Sequence, residues 1–154
     1  MSAALKLWRK LGSNGPGRWL ASRLICFRAP YFRSIAPLLV RLEPGTCEAT
    51  IRHRWSVQNH IGTVHAIALC NLAEFCAGLA TDAAMTPGIR WIPKGMTVRY
   101  LKKASGRMRA VGTLAAIGDV GAGADRDCTV EVRDPQGNVV FDAKVTMYIS
   151  PSKR

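Results

Sequence analysis

Hydrophobic positions follow two different periods along this chain, and the change between them falls after residue 85. Upstream, residues 63–83 are apolar almost all the way round a helical wheel: Val64, Ala66, Ile67, Leu69, Cys70, Leu72, Phe75, Cys76 and Leu79 leave no wide polar gap. A helix with no solvated face is normally buried on every side, so the pattern predicts a core helix here. Its polar residues, Asn71, Glu74, Gly78 and Asp82, fall three or four apart on one narrow stripe. From Met96 onward the period becomes two. Strands are predicted over residues 96–101, 107–117, 127–133 and 139–149. The last alternates most clearly, with Val139, Phe141, Ala143, Val145, Met147 and Ile149 on one face. An Asp134-Pro135-Gln136-Gly137 turn joins it to the strand before. Two earlier strands, 38–42 and 46–56, flank a Glu43-Pro44-Gly45 turn signal, and 85–95 reads as a Pro/Gly-punctuated loop holding Trp91. One apolar helix among half-buried strands implies an α+β fold, an antiparallel sheet wrapped around a central helix.

The chain has 154 residues, 48% of them hydrophobic, which is enough for one domain with a full core. Residues 35–151 carry that pattern, and residues 1–34 form a separate basic segment. Every charge before Glu43 is positive, from Lys6 to Arg41. After the Gly15-Pro16-Gly17 break, Trp19, Leu20, Leu24 and Phe27 recur at helical spacing and predict a helix packed on the core. An acid-free, Arg-rich start also suits a transit segment or a peripheral membrane contact. The net charge of +12 comes with no recognised nucleic-acid motif, so nucleic acid is not an expected partner. Five cysteines without a C-x-x-C pair favour reduced thiols and a cytoplasmic setting, with Cys70 and Cys76 as core residues. No uninterrupted apolar run approaches the ~18–20 residues of a membrane span. His53, His60 and His65 lack a metal-site spacing. Gly121-Ala122-Gly123 leads into a strand rather than a helix, which excludes a nucleotide loop. No metal and no cofactor are expected.

Chemistry concentrates in Asn59–Glu74, NHIGTVHAIALCNLAE. A carboxylate on a buried helix needs a partner or a purpose, and that singles out Glu74. The window resembles the active-site segment of hotdog-fold acyl-CoA thioesterases of the phenylacetate-pathway type. Asn59, Gly62-Thr63, His65 and Leu72-Ala73-Glu74 match that pattern without a gap. Ala66 and Ile67 replace the two glycines that follow the His in the family. The resemblance implies a hotdog fold, an N-terminal helical addition and a thioesterase acting on acyl-CoA or acyl-carrier-protein thioesters. It gives Asn59 a role in orienting water or substrate, and Glu74 that of general base or nucleophile. A non-catalytic hotdog domain that binds acyl groups or a partner is the alternative, favoured by the lost glycines. A dehydratase acting on carrier-protein substrates is a third reading, but the Pro-rich loop and Pro-Gly helix start of that family are missing.

Oxyanion donors come from free N–H groups in a helix's first turn. With Thr63 as the expected N-cap, the amides near Ala66 would face substrate. His65 suits a helix-start role better than that of a base, and Ile67 is expected to fill the helix–sheet core. Ala66 and Glu74 are eight residues apart, or about 12 Å along a helix, whereas donor and base must both reach one carbonyl. Two antiparallel copies about a two-fold axis meet that demand, so a homodimer or a dimer of dimers is expected. Of the basic residues Lys94, Arg99, Lys102, Lys103, Arg107 and Arg109, the trio Lys102, Lys103 and Arg107 is the expected site for coenzyme A phosphates.

Overall fold

A computed structural model describes residues 1–152. Two helices come first, α1 (Ala3–Leu11) and α2 (Gly15–Arg28), followed by a short 3-10 turn at Pro30–Ser34. Strands β1 (Leu38–Glu43) and β2 (Thr46–Ile51) precede the long helix α3 (Ala66–Ala84). Four strands complete the chain: β3 (Ile89–Tyr100), β4 (Met108–Leu114), β5 (Ala124–Arg133) and β6 (Val139–Pro151). All six pair antiparallel in the order β1-β2-β4-β5-β6-β3. The sheet wraps α3, and this is the hotdog fold the sequence predicts.

The core lies between α3 and the concave face of the sheet. Leu72, Phe75, Cys76 and Leu79 from the helix meet Ile51, Met108, Ala110, Val130, Val132 and Phe141, all buried. In β6 the alternation holds from Phe141 on, with Phe141, Ala143, Val145, Met147 and Ile149 buried, but at the strand's start Val140 is buried and Val139, expected on that face, is only half-buried. Asp134 closes the β5–β6 turn by accepting the amides of Gln136 and Asn138 on its carboxylate. By length and composition α3 could cross a membrane, yet it is mostly buried within this fold.

Expectations about three elements need correction first. The segment 85–95 is not all loop, because β3 begins at Ile89 and pairs with β6 from Ile89↔Pro151 onward. A bulge between Pro93 and Gly95 interrupts the ladder, and those two strand-poor residues disguised the strand. The second early strand stops at Ile51 rather than at 56. The helix at 15–28 does pack on the core, but with its small residues: Ala21, Ser22 and Cys26 are buried. Trp19 and Phe27 face outward, 58% and 78% exposed, and Leu20 and Leu24 are exposed too. The buried Ser22 hydroxyl accepts the Leu39 amide at 2.8 Å and donates to the Arg18 carbonyl. Arg23 reaches the Pro37 carbonyl. These bonds tie α2 to the β1 edge.

At the opposite edge, β3 lies open. Ile92, Met96 and Tyr100 are exposed along it. The face of α3 beside β3 is open as well, so this helix is not buried on every side. Ile67 is 56% exposed rather than in the core, Glu74 is exposed and Cys70 is half-buried. Asn71, grouped by sequence with the polar stripe, is instead buried, and its Nδ2 donates to the Ser34 hydroxyl at 3.1 Å.

Candidate active site

The approach to α3 is built by side chains that satisfy one another. Asn59 closes a five-residue loop: its Oδ1 accepts the amides of Ile61 and Thr63, and its Nδ2 donates to the Thr63 hydroxyl at 2.8 Å. Inside that loop Gly62 holds φ at +77°, a left-handed conformation that a side chain resists. The chain then extends, with the Val64 amide donating to the Ala104 carbonyl and the His65 amide to the Val57 carbonyl, both at 2.8 Å.

His65, not Thr63, is the N-cap of α3. Its Nδ1 accepts the Ile67 amide at 3.0 Å, and its carbonyl accepts the amides of Ala68 and Leu69. A first helical turn has four N–H groups without intrahelical partners. Ile67, Ala68 and Leu69 are accounted for in this way. Among the described residues, no acceptor meets the Ala66 N–H. The amide that the sequence singled out as an oxyanion donor is therefore the one left free.

Glu74 lies two turns further along α3, on its open face. Among the described residues it forms no ion pair, so a structural pairing with Arg does not account for it. It borders two cavities at once. One, of about 510 Å³, runs under α1 and α2 and is walled mainly by apolar side chains, among them Phe75, Leu79, Trp91 and Met147. The other, of about 280 Å³, lies along β3 at Lys94, Gly95 and Met96. Glu74 and Pro93 are the residues common to both. Gly78, one turn beyond Glu74, lets the Trp91 ring approach: a Cβ there would lie 3.3 Å from Trp91 Cη2. Glycine costs a helix interior ~1 kcal/mol relative to alanine, and the space for Trp91 is what that cost secures.

Of the six basic residues, three have carboxylate partners. Lys94 pairs with Asp125, Arg99 with Asp142 and Arg109 with the buried Glu48. Arg99 makes two bonds to Asp142 and holds that carboxyl below its ordinary value. Lys102, Lys103 and Arg107 are exposed and, among the described residues, form no ion pair; Lys102 reaches only the Asn138 side chain. Their loop is anchored to the start of α3 through Ala104 and to His53 through the Gly106 amide. Free cations, the free amide and the Asn59 loop thus share one end of α3, while Glu74 stands two turns away. Four of the cysteines are buried as free thiols, whereas Cys70, expected in the core, sits on the open face with Sγ 3.3 Å from the Tyr100 hydroxyl.

Sequence reasoning missed the walls of the larger cavity. Leu7, Leu24, Phe32 and Trp91 line it, yet they belong to four separate elements, and no local spacing links them. The unexplained glycine at position 78 was the one available signal.

A family model described as a domain of unknown function, DUF4442, matches residues 17–149, and the chain belongs to that family. A structural-genomics crystal structure labelled APC5556 is 44% identical, with a TM-score of 0.83, covering 97% of this chain and 98% of that one. PA5026 from Pseudomonas aeruginosa, described as a protein of unknown function and probable thioesterase, is 25% identical at a TM-score of 0.77, covering 86% of this chain and 95% of that one. Thioesterase HI1161 from Haemophilus influenzae shares the fold at 16% identity and a TM-score of 0.69, covering 79% and 82% of the two chains. No curated protein matches the chain.

Proposed function

We propose that this member of the DUF4442 family hydrolyses acyl-CoA thioesters at sites shared between two copies of the chain. One observation carries the reading: among the described residues the Glu74 carboxylate, at the rim of a large apolar cavity, has no ion-pair partner, and the first-turn Ala66 amide of the same helix has no acceptor. The thioesterase description of PA5026 supports the same chemistry.

In this mechanism the thioester oxygen accepts the Ala66 N–H of one copy, reinforced by the positive end of the α3 dipole. Glu74 of the other copy, exposed and therefore reachable by water, takes a proton as that water attacks the carbonyl carbon. The tetrahedral intermediate collapses with cleavage of the C–S bond. Glu74 returns its proton to the departing thiolate, leaving a carboxylic acid and free coenzyme A. Lys102, Lys103 and Arg107 receive the nucleotide phosphates. Asn59 shapes the loop that aims the Ala66 amide, and His65 caps the helix without handling a proton. A non-catalytic acyl-binding domain is the second reading, favoured by the Ala66 methyl and the exposed Ile67 side chain where the thioesterases that this segment resembles have glycine.

Coenzyme A release from a panel of acyl-CoA thioesters tests the reading. Turnover is expected with at least one member, and Glu74→Gln should lower it by about 100-fold or more at an unchanged melting temperature. An equally active Glu74→Gln protein would remove the carboxylate from the mechanism.

A further inference from the structure

We infer that the N-terminal helices α1 and α2 form the acyl-recognition wall of this protein, and that the group it receives is an uncharged aliphatic chain of medium to long length. The inference rests on the thioesterase reading for the position of the carbonyl, but the cavity exists independently of it. Half of the residues lining the larger cavity come from the first 32 positions. Ala3, Ala4 and Leu7 of α1 face Leu24 and Ile25 of α2, with Phe32 beyond them. The family match begins at residue 17, so α1 lies outside the pattern the whole family shares and can differ from one branch of it to another.

Size and chemistry select the ligand. At about 510 Å³, the space is more than three times the ~150 Å³ that encloses a benzene molecule. A phenylacetyl-sized group would leave much of it unfilled, while an extended hydrocarbon chain would use it. Aside from Glu74 at the rim, Arg28 and Asp82 are the charged residues of a lining that is otherwise apolar, and burial of methylenes there is the driving force. Direction follows from Glu74. With the carbonyl at that residue, the smaller cavity beside Lys94 and Met96 takes the sulfur side, and the acyl chain extends under α1 and α2. The small side chains of Ala3, Ala4 and Ala29 keep that path open.

The test narrows the cavity from either helix without touching Glu74 or the core. Leu7 is half-buried and Leu24 is exposed, so Leu7→Trp and Leu24→Trp add volume at the wall, and either variant suffices should the other fail to fold. For saturated acyl-CoA thioesters from butyryl to palmitoyl, kcat/KM of the native protein should rise with length. In the variants the long-chain values should fall by at least about tenfold, with butyryl-CoA little changed. Calorimetric binding of dodecyl-CoA, the thioether that cannot be hydrolysed, gives a second readout and should weaken in parallel. Tight thioether binding that the variants lose, with no thioester turned over, upholds the wall and overturns the hydrolase. Turnover with an unaltered length profile, or equal loss at every length, overturns the wall and leaves the hydrolase standing. Failure of the native protein to bind the thioether at all overturns the inference.

Discussion

His65 accepts the Ile67 amide on Nδ1 at 3.0 Å, and so the imidazole is engaged in holding the first turn of α3. Its value should be that of an N-cap. Replacing His65 with Ala should cost about 1 kcal/mol of stability, whereas His65→Asn, which keeps an acceptor, should cost less. Both should retain turnover, because neither removes Ala66 or Glu74. Thermal unfolding together with acyl-CoA assays checks this; loss of activity in a stable His65→Asn protein would restore a chemical role to the ring.

Cys70 lies midway between Ala66 and Glu74 in number. If Ala66 of one copy faces Glu74 of the other across a two-fold axis, the midpoint must face its own counterpart. A mild oxidant should therefore cross-link the protein into covalent dimers through Cys70, and Cys70→Ser should abolish them. The other four thiols are buried away from the oxidant, and burial pushes Cys128 up to about 12 and raises Cys47 and Cys26. Cross-links that persist in Cys70→Ser would refute the pairing of Ala66 with Glu74.

Lys102, Lys103 and Arg107, which have no carboxylate partner among the described residues, should make substrate affinity sensitive to salt. Raising ionic strength should increase KM for an acyl-CoA more than for the matching acyl-pantetheine, which lacks the phosphates. Replacing all three by Ala should erase the difference. A residual difference of native size would assign the nucleotide to another surface.

Ala66 carries a methyl group where the thioesterases that the Asn59–Glu74 segment resembles have glycine, at the amide proposed to meet the carbonyl. Even ~1 Å of displacement there slows attack, so Ala66→Gly should raise turnover with little cost at a helix's first residue. Ile67 is exposed, and Ile67→Ala should shift stability by no more than ~0.5 kcal/mol, contrary to what a core position would give. Steady-state kinetics and melting curves of the two variants decide both points.

The Arg99–Asp142 pair links the β3 edge to β6, and Arg99 lowers the Asp142 carboxyl. A carboxyl that ionises more readily when folded stabilises the protein at neutral pH and loses that effect as pH falls through its folded value. Asp142→Asn should accordingly melt below the native protein at neutral pH, and the gap should close on acidification. A gap independent of pH would show that the pair contributes no linked stability.

Much of this was legible in the sequence because α3 and β6 each bury one long periodic pattern, and hydrophobic period reports burial directly. Glu74 stood out as a carboxylate on that apolar helix, whereas Asn59 and Ala66 stood out through the resemblance of their segment to hotdog thioesterases and through the helix start. The faces of α2 were not legible. Trp19, Leu20, Leu24 and Phe27 dominate a helical wheel by size, yet Ala21, Ser22 and Cys26 allow the close approach to β1. The opening half of β3 was hidden by Pro93 and Gly95, whose local preferences oppose a strand while the ladder to β6 holds them in one. The cavity wall was hidden most completely, since it exists only where α1, α2 and β3 converge.

The open edge of β3 would tie the amount of this protein in a cell to its chemistry if a second copy covers it. A strand of this length with bare apolar side chains invites the wrong neighbours as readily as the right one, and the Pro93–Gly95 bulge disrupts only part of it. If the second copy is what covers that edge, each newly made chain must find another before something else does. Specific activity would then fall on dilution as pairs separate, and a cell could silence the protein simply by making less of it.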